Sequence, residues 1–222
     1  MARVLVLGGT GMLGHVVRRV LGCAPSLDVE ATQHRDTSSP RYLDAEQGAE
    51  GLRTLFERHG RYDYLVNAIG VTPPQIDPSR AESVRRAIRV NALFPHAVAA
   101  EAAGIRARVL HVSTDGVFSG AAGPYDEHAA HDGPDVYGKT KSLGEVQAPG
   151  VLTFRCSIIG PDPAGLRGLL EWFLGQPEGA SLTGYTDALW NGVTTLQLAQ
   201  VFERVIAGDR FEPLWRESPV HH

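Results

Sequence analysis

Val4-Leu5-Val6-Leu7-Gly8-Gly9-Thr10-Gly11-Met12-Leu13-Gly14 is the stretch whose reading decides the fold. Its first four residues form a short, wholly apolar run, the pattern of a strand buried on both faces. Met12, Leu13, Val16, Val17, Val20 and Leu21 then recur at helical spacing. A buried strand that turns through glycines into a helix is the opening unit of a parallel α/β sheet. Gly8, Gly11 and Gly14 hold the spacing that such a turn uses to receive a pyrophosphate. One allows the tight turn, one the approach of the phosphates, and one close packing of helix on strand. The helix N-terminus, carrying roughly half a positive charge, completes the cradle. Gly8, Thr10, Gly11, Met12, Leu13 and Gly14 are therefore the candidate dinucleotide-binding residues. On its own such a turn is weak evidence, since a plain strand-to-helix turn can look the same.

The same alternation continues outward from this unit. Strands are expected at Leu27–Thr32, near Arg41–Leu43, at Tyr64–Ala68, at Val109–Val112 and at Val151–Arg155. Helices are expected at Glu46–His59, at Ser79–Ala103 with a break near Pro95, and at Val136–Gln147. The fold class is thus α/β, a Rossmann-type doubly wound parallel sheet, with residues 1–155 as the cofactor domain. After Arg155, prolines at 161, 163 and 177 break the rhythm, and residues 156–222 read as a small substrate-side lobe. Helices are expected there at Gly165–Gly175 and Thr194–Ala207, the second packing back on the Rossmann domain. Trp172 and Phe173 read as packing residues of one buried helix, whereas Tyr185 and Trp190, in a glycine-flanked irregular stretch, are candidates to touch a ligand.

Composition narrows the class of partner. The 222 residues carry a net charge of -4, with no basic block to neutralise a nucleic-acid backbone or an anionic membrane. No apolar run approaches the ~20 residues that span a bilayer, and a strand pattern from Arg3 leaves no room for a leader peptide. A cytoplasmic protein is expected. Cys23 and Cys156 are too far apart for a metal-ligand motif and read as two buried free thiols, so no metal is expected.

Tyr137 and Lys141 stand at i and i+4 in Val136-Tyr137-Gly138-Lys139-Thr140-Lys141, on one face of a helix. A phenol with a reference pKa near 10 becomes a usable acid or base when an ammonium beside it favours the phenolate. The same spacing also occurs on ordinary solvated helix faces. The choice between them turns on lysine usage. Of the 21 basic residues 19 are Arg, and both lysines lie in this segment. Arg is broad, planar and permanently charged, so a compact ammonium is wanted at 141; Lys139 points off the other side. Upstream, Ser113-Thr114-Asp115 closes a strand at the carboxyl edge of the sheet, where open α/β folds bind ligands. Ser113 or Thr114 could hydrogen-bond a substrate carbonyl, or simply close the strand in a hydroxyl turn.

Gly8–Gly14, Asn67-Ala68-Ile69-Gly70, Ser113–Gly120, Pro124-Tyr125-Asp126-Glu127 and Tyr137–Glu145 occur in an order and spacing that resembles the extended short-chain dehydrogenase/reductases, in their dTDP-4-dehydrorhamnose reductase branch. The resemblance covers residues 3–160 and weakens thereafter. It implies Thr114, Tyr137 and Lys141 as a catalytic triad with Asp115 beside it. It also implies the Gly8–Gly14 loop as the dinucleotide site, Asn67–Gly70 as the cofactor wall, and Asn91 as that wall's support. Three features depart from it. Gly116 stands where the branch usually has an aromatic residue, Cys156–Gly160 lacks the aromatics usual there, and the chain stops at His222, where the family continues. His221-His222 reads either as a tag remnant or as the edge of a strand.

The expected activity is reduction of a 4-keto group on a nucleotide-linked deoxysugar by NADPH, with NADH also admissible. Arg35, beyond the second strand, could pair with a 2′-phosphate, although Asp36 is adjacent. The nucleotide sugar would meet Ser113, Tyr185 and Trp190, and a homodimer is admitted. The competing expectations are a nucleotide-binding regulatory or scaffold subunit on the same fold, and an epimerase or dehydratase.

Overall fold

The computed structural model of the chain describes residues 1–222 except 164, 166, 167, 188 and 189. Six parallel strands form the central sheet in the order β2-β1-β3-β4-β5-β8. These are β1 (Ala2–Leu7), β2 (Leu27–Ala31), β3 (Tyr64–Asn67), β4 (Arg108–Ser113), β5 (Val151–Arg155) and β8 (Val220–His221). Val4, Leu5, Val6 and Leu7 are all fully buried, as their unbroken apolar run requires. Two short strands, β6 (Ile158–Ile159) and β7 (Val193–Thr194), pair separately.

Alternate residues of each strand feed two cores. Val4, Val6, Leu110 and Leu152 pack with Val17 and Leu21 of α1 (Gly14–Gly22) and with Leu198 and Phe202 of α7 (Thr195–Ala207). Leu5, Leu7, Leu65 and Val109 pack on the other face. Their partners are Leu52 and Leu55 of α2 (Ala49–His59), and Phe94 and Val98 of α4 (Phe94–Ile105). A doubly wound Rossmann-type α/β fold results. Phe94 and Phe202 are each wholly buried; truncating either would cost about 3–5 kcal/mol. Among the described residues no helix is long and apolar enough to cross a membrane.

Several expectations are corrected. The strand near Arg41–Leu43 is a single bridge between Gln33 and Tyr42, because residues 33–39 close in tight turns that leave almost no chain to pair. The break in the long helix comes before Pro95. Between α3 (Ala81–Ala87) and α4 the chain makes a wider π turn over Ile88–Leu93, and Pro95 sits in the first turn of α4, where its missing N–H costs nothing. Helix α5 (Val136–Leu143) stops four residues early, at Gly144, which lies against the Asn91 carbonyl. Cys23 is exposed at the end of α1 and Cys156 only half-buried, so the thiols are not a buried pair. Trp172 and Phe173, in α6 (Leu169–Leu174), are 50% and 57% exposed rather than packed. Five of its six residues are apolar, Glu171 being the exception, and none of the six is buried among the described residues. The expected start of that helix falls partly on residues 166 and 167, outside the described ones. Helix α8 (Phe211–Glu217) was not legible in the sequence, whereas β8 takes up the strand-edge reading of His221-His222. His221 belongs to β8, opposite Phe154 of β5.

Candidate active site

The glycine loop leaves β1 with Gly8 at φ 84°, a conformation that disfavours a side chain. Gly8 N–H donates to Thr32 Oγ1 at 3.0 Å and Gly9 N–H to the Thr32 carbonyl at 2.9 Å, tying the loop to the end of β2. A Cβ on Gly14 would collide with the Gly8 carbonyl, so only glycine lets α1 start this close to the strand. Helix α1 begins with no side-chain cap. An open cradle of main-chain donors at an uncapped helix start fits the pyrophosphate of a dinucleotide.

Beside it, Asn67 at the end of β3 is buried. Its amide donates to His111 Nδ1 at 3.2 Å, and its Oδ1 accepts from Ile69 N–H at 3.2 Å, which folds the Asn67–Gly70 segment over the sheet edge. Burial, with Lys141 next in effect, holds the His111 imidazole well below its ordinary pKa and therefore neutral. Asn91, in the π turn, accepts from Val71 N–H at 2.8 Å, donates to the Val71 carbonyl at 2.9 Å and reaches Thr140 Oγ1 at 3.3 Å. One amide thus clamps the 67–71 wall to α5.

Helix α5 is capped by Asp135, whose carboxylate accepts from Gly138 N–H at 2.6 Å. Gly138 lies against the Gly116 carbonyl, and a Cβ there would push the helix away. This close approach brings Tyr137 beside Thr114 at the end of β4. The Lys141 ammonium, 4% exposed, donates to the Val112 carbonyl at 2.7 Å. Its pKa is lowered to about 8, chiefly by burial. Lys139 is exposed. The Tyr137 phenol is raised above its ordinary value, first by burial and then by the charges of Asp115, Cys156 and Asp135; only the Thr114 hydroxyl acts the other way. The lowering expected from Lys141 is not among the causes: its ammonium is spent on the Val112 carbonyl, and desolvation penalises the phenolate. The consequence is a phenol that keeps its proton at neutral pH, the form a proton donor needs.

Thr114 donates to Asp115 Oδ1 at 3.2 Å and accepts from Gly116 N–H at 3.1 Å. Ser113 is turned elsewhere. Its hydroxyl donates to Glu145 Oε1 at 2.6 Å, inside a buried ion pair that Arg155 makes with Glu145 at 2.7–3.0 Å. This argues against Ser113 as a substrate contact, since its buried hydroxyl is already spent on a carboxylate. Glu145 and Arg155 were missed in the sequence; a matched charge pair ten residues apart gave no spacing signal.

Arg35 and Asp36 diverge. The Asp36 carboxylate is occupied by Ser38, through its N–H at 2.9 Å and its hydroxyl at 2.6 Å. Among the described residues the Arg35 guanidinium has no partner, while its main chain is fixed by Gln33 at 2.7 Å. On the other side of Tyr137, the Trp190 indole and the Ser157 carbonyl both crowd Gly192, which puts Trp190 next to the Asp115 side of the site. Tyr185 is 85% exposed, and among the described residues no contact brings it to Tyr137. Among the described residues no cluster of His, Cys, Asp and Glu is placed to hold a metal.

Residues 2–159 match the model of a family described as the RmlD substrate binding domain. The chain is 35% identical over 163 residues to the dTDP-4-dehydrorhamnose reductase of Salmonella typhimurium, covering 69% of this chain and 50% of that protein. It is 31% identical over 156 residues to the methionine adenosyltransferase 2 subunit beta of Xenopus tropicalis, covering 64% and 41%. The chain spans about half the length of these curated relatives. In fold it is similar to a dTDP-4-dehydrorhamnose reductase from Clostridium acetobutylicum, with a TM-score of 0.77 at 24% identity over 93% of this chain and 70% of that one.

Proposed function

The chain belongs to the RmlD substrate binding domain family, and on that footing we propose that it reduces a 4-keto group on a nucleotide-linked deoxysugar, using NADPH. The observation that carries this reading is the gathering of Thr114, protonated Tyr137 and buried Lys141 around the last residues of β4. Residues 1–155 serve the cofactor and residues 156–222 the substrate. Gly8, Thr10, Gly11, Met12, Leu13 and Gly14 hold the pyrophosphate; Asn67, Ala68, Ile69 and Gly70, steadied by Asn91, form the nicotinamide wall. When bound, the nicotinamide supplies a hydride to the carbonyl carbon. Tyr137 gives its proton to the carbonyl oxygen. Thr114 polarises that oxygen by turning its hydrogen away from Asp115. Lys141 steadies the nicotinamide ribose and the phenolate left behind. Mixing the protein with NADPH and a panel of 4-keto nucleotide sugars should oxidise NADPH with at least one member; no oxidation with any member would contradict the reading.

NADPH should bind more tightly than NADH, because the Arg35 guanidinium, without a partner among the described residues, can pair with a 2′-phosphate while Asp36 is engaged by Ser38. Calorimetry should show Arg35→Ala erasing roughly tenfold of that difference. Equal affinity for the two dinucleotides in the unaltered protein would sink this assignment.

The nucleotide base is flat and would stack on Trp190 or Tyr185. Replacing either by Ala should weaken nucleotide-sugar binding by about fivefold or more and leave NADPH binding unchanged. Equal losses for both ligands would indicate collapse of the lobe instead.

A second reading, a regulatory or scaffold subunit that binds the dinucleotide without turning it over, is favoured by one observation: the likeness to a methionine adenosyltransferase 2 subunit beta. Under that reading NADPH binds and persists.

A further inference from the structure

We infer that Ser157 is a positioning residue for the proton donor: its hydroxyl pins the Asp115 carboxylate against Thr114, the group hydrogen-bonded to Tyr137. Ser157 lies two residues beyond β5, where the chain crosses in front of the short turn Asp115–Val117. Its Oγ is 2.7 Å from Asp115 Oδ1 and 2.8 Å from Oδ2, so one hydrogen is shared across both oxygens and the carboxylate is gripped symmetrically. Asp115 Oδ1 in turn takes the Thr114 hydrogen at 3.2 Å. The remaining valence of Thr114 then follows. A hydroxyl has one hydrogen and two acceptor sites; Gly116 N–H occupies one acceptor site at 3.1 Å, and the hydroxyl also faces the phenol of Tyr137. Four side chains, Ser157, Asp115, Thr114 and Tyr137, therefore form one line, anchored at its far end by Ser157.

The inference rests on reading Tyr137 as the acid, and it adds a second reason, after burial, that the acid keeps its proton. Two consequences follow from a carboxylate held in that place. The Thr114 hydrogen is drawn toward Asp115, which weakens the one contact that favours the phenolate, that of the Thr114 hydroxyl on Tyr137. The negative charge of Asp115 also stands close to the phenol and opposes its ionisation. Without Ser157, Asp115 is half-exposed and free to rotate into water, and both restraints relax. The other groups facing Tyr137 are Asp135 at the cap of its own helix, Cys156 beside Ser157, and Lys141 one turn on. None of them depends on the Ser157 hydroxyl, so a change at 157 reads out through Asp115.

The test follows the ionisation of Tyr137 directly, by NMR of the full chain carrying ¹³C-labelled tyrosine, with Tyr137→Phe to assign its signal. Ser157→Ala should increase the acid dissociation constant of Tyr137 about tenfold, moving it to lower pH. Asp115→Asn keeps the shape and removes the charge, and should move it the same way. Where turnover is measurable, the loss of kcat at high pH should begin at lower pH in Ser157→Ala. An unchanged Tyr137 titration in Ser157→Ala overturns the inference, as does a shift in Asp115→Asn alone, since Asp115 would then be placed without Ser157. If Ser157→Ala fails to fold, an unshifted Asp115→Asn is the overturning result. Because the titration needs no substrate, it decides the role of Ser157 even if the protein turns over no sugar.

Discussion

Tyr137→Phe should lower turnover by about 10²-fold or more while leaving folding and dinucleotide binding intact. On the proposed reading the phenol hands a proton to a carbonyl oxygen, and burial first, then Asp115, holds it in its protonated form. Removing its oxygen deletes the proton without disturbing the packing, since α5 is fixed by Asp135, by Gly138 against the Gly116 carbonyl, and by Asn91 at Thr140. Single-turnover kinetics with matched NADPH titrations checks this. A kcat within about threefold of the unaltered protein would mean that water or another side chain supplies the proton, which typically costs far more than that.

Lys141→Met should abolish activity and yet make the protein more stable at neutral pH. The Lys141 pKa falls from 10.5 to about 8 because its ammonium is buried, a shift equivalent to roughly 3 kcal/mol. The folded protein holds this proton less readily than the unfolded chain does. Stability is therefore greatest above pH 10.5 and is lost as pH falls through about 8, so at pH 7 the whole penalty is present. A methionine carries no charge to desolvate. It forfeits the bond to the Val112 carbonyl, about 1 kcal/mol, and should leave a net gain of about 2 kcal/mol. Urea unfolding at pH 7 and pH 10 measures it: the gain should shrink at the higher pH, and a variant less stable at pH 7 would refute the reasoning. Lys141→Arg tests the lysine's shape, because a planar guanidinium does not fit a site that is 4% exposed. Activity surviving in that variant would remove the significance of the two-lysine composition.

The parts of the fold that could be read in the sequence are those whose signal is local. Val4–Leu7 announces a buried strand by composition alone, and the Gly8–Gly14 spacing announces the turn that follows. Tyr137 and Lys141 are four residues apart on one helix, so one pattern holds both. The unread parts depend on distant residues. Glu145, two residues past α5, meets Arg155 at the end of β5, and Ser157, two residues past β5, meets Asp115. Strand is one of two readings the sequence leaves open at His221-His222, and β5 settles it by offering β8 an edge. The phenol of Tyr137 was misjudged for the same reason. Helical spacing placed an ammonium on its face, but burial, which the sequence does not display, dominates its ionisation. Trp172 and Phe173 show the converse error, an apolar pattern with nothing laid over it among the described residues.

Incubation with NADPH deuterated at the transferable position, together with a dTDP-linked 4-keto-6-deoxysugar, followed by NMR of the sugar, asks directly whether this site is a reductase. Deuterium should appear at C4 of the product, in step with NADPH consumption, and be absent with Tyr137→Phe over the same time. NADPH that binds but is never consumed, with no deuterium on any sugar of the panel, would contradict the proposal and leave the regulatory reading standing.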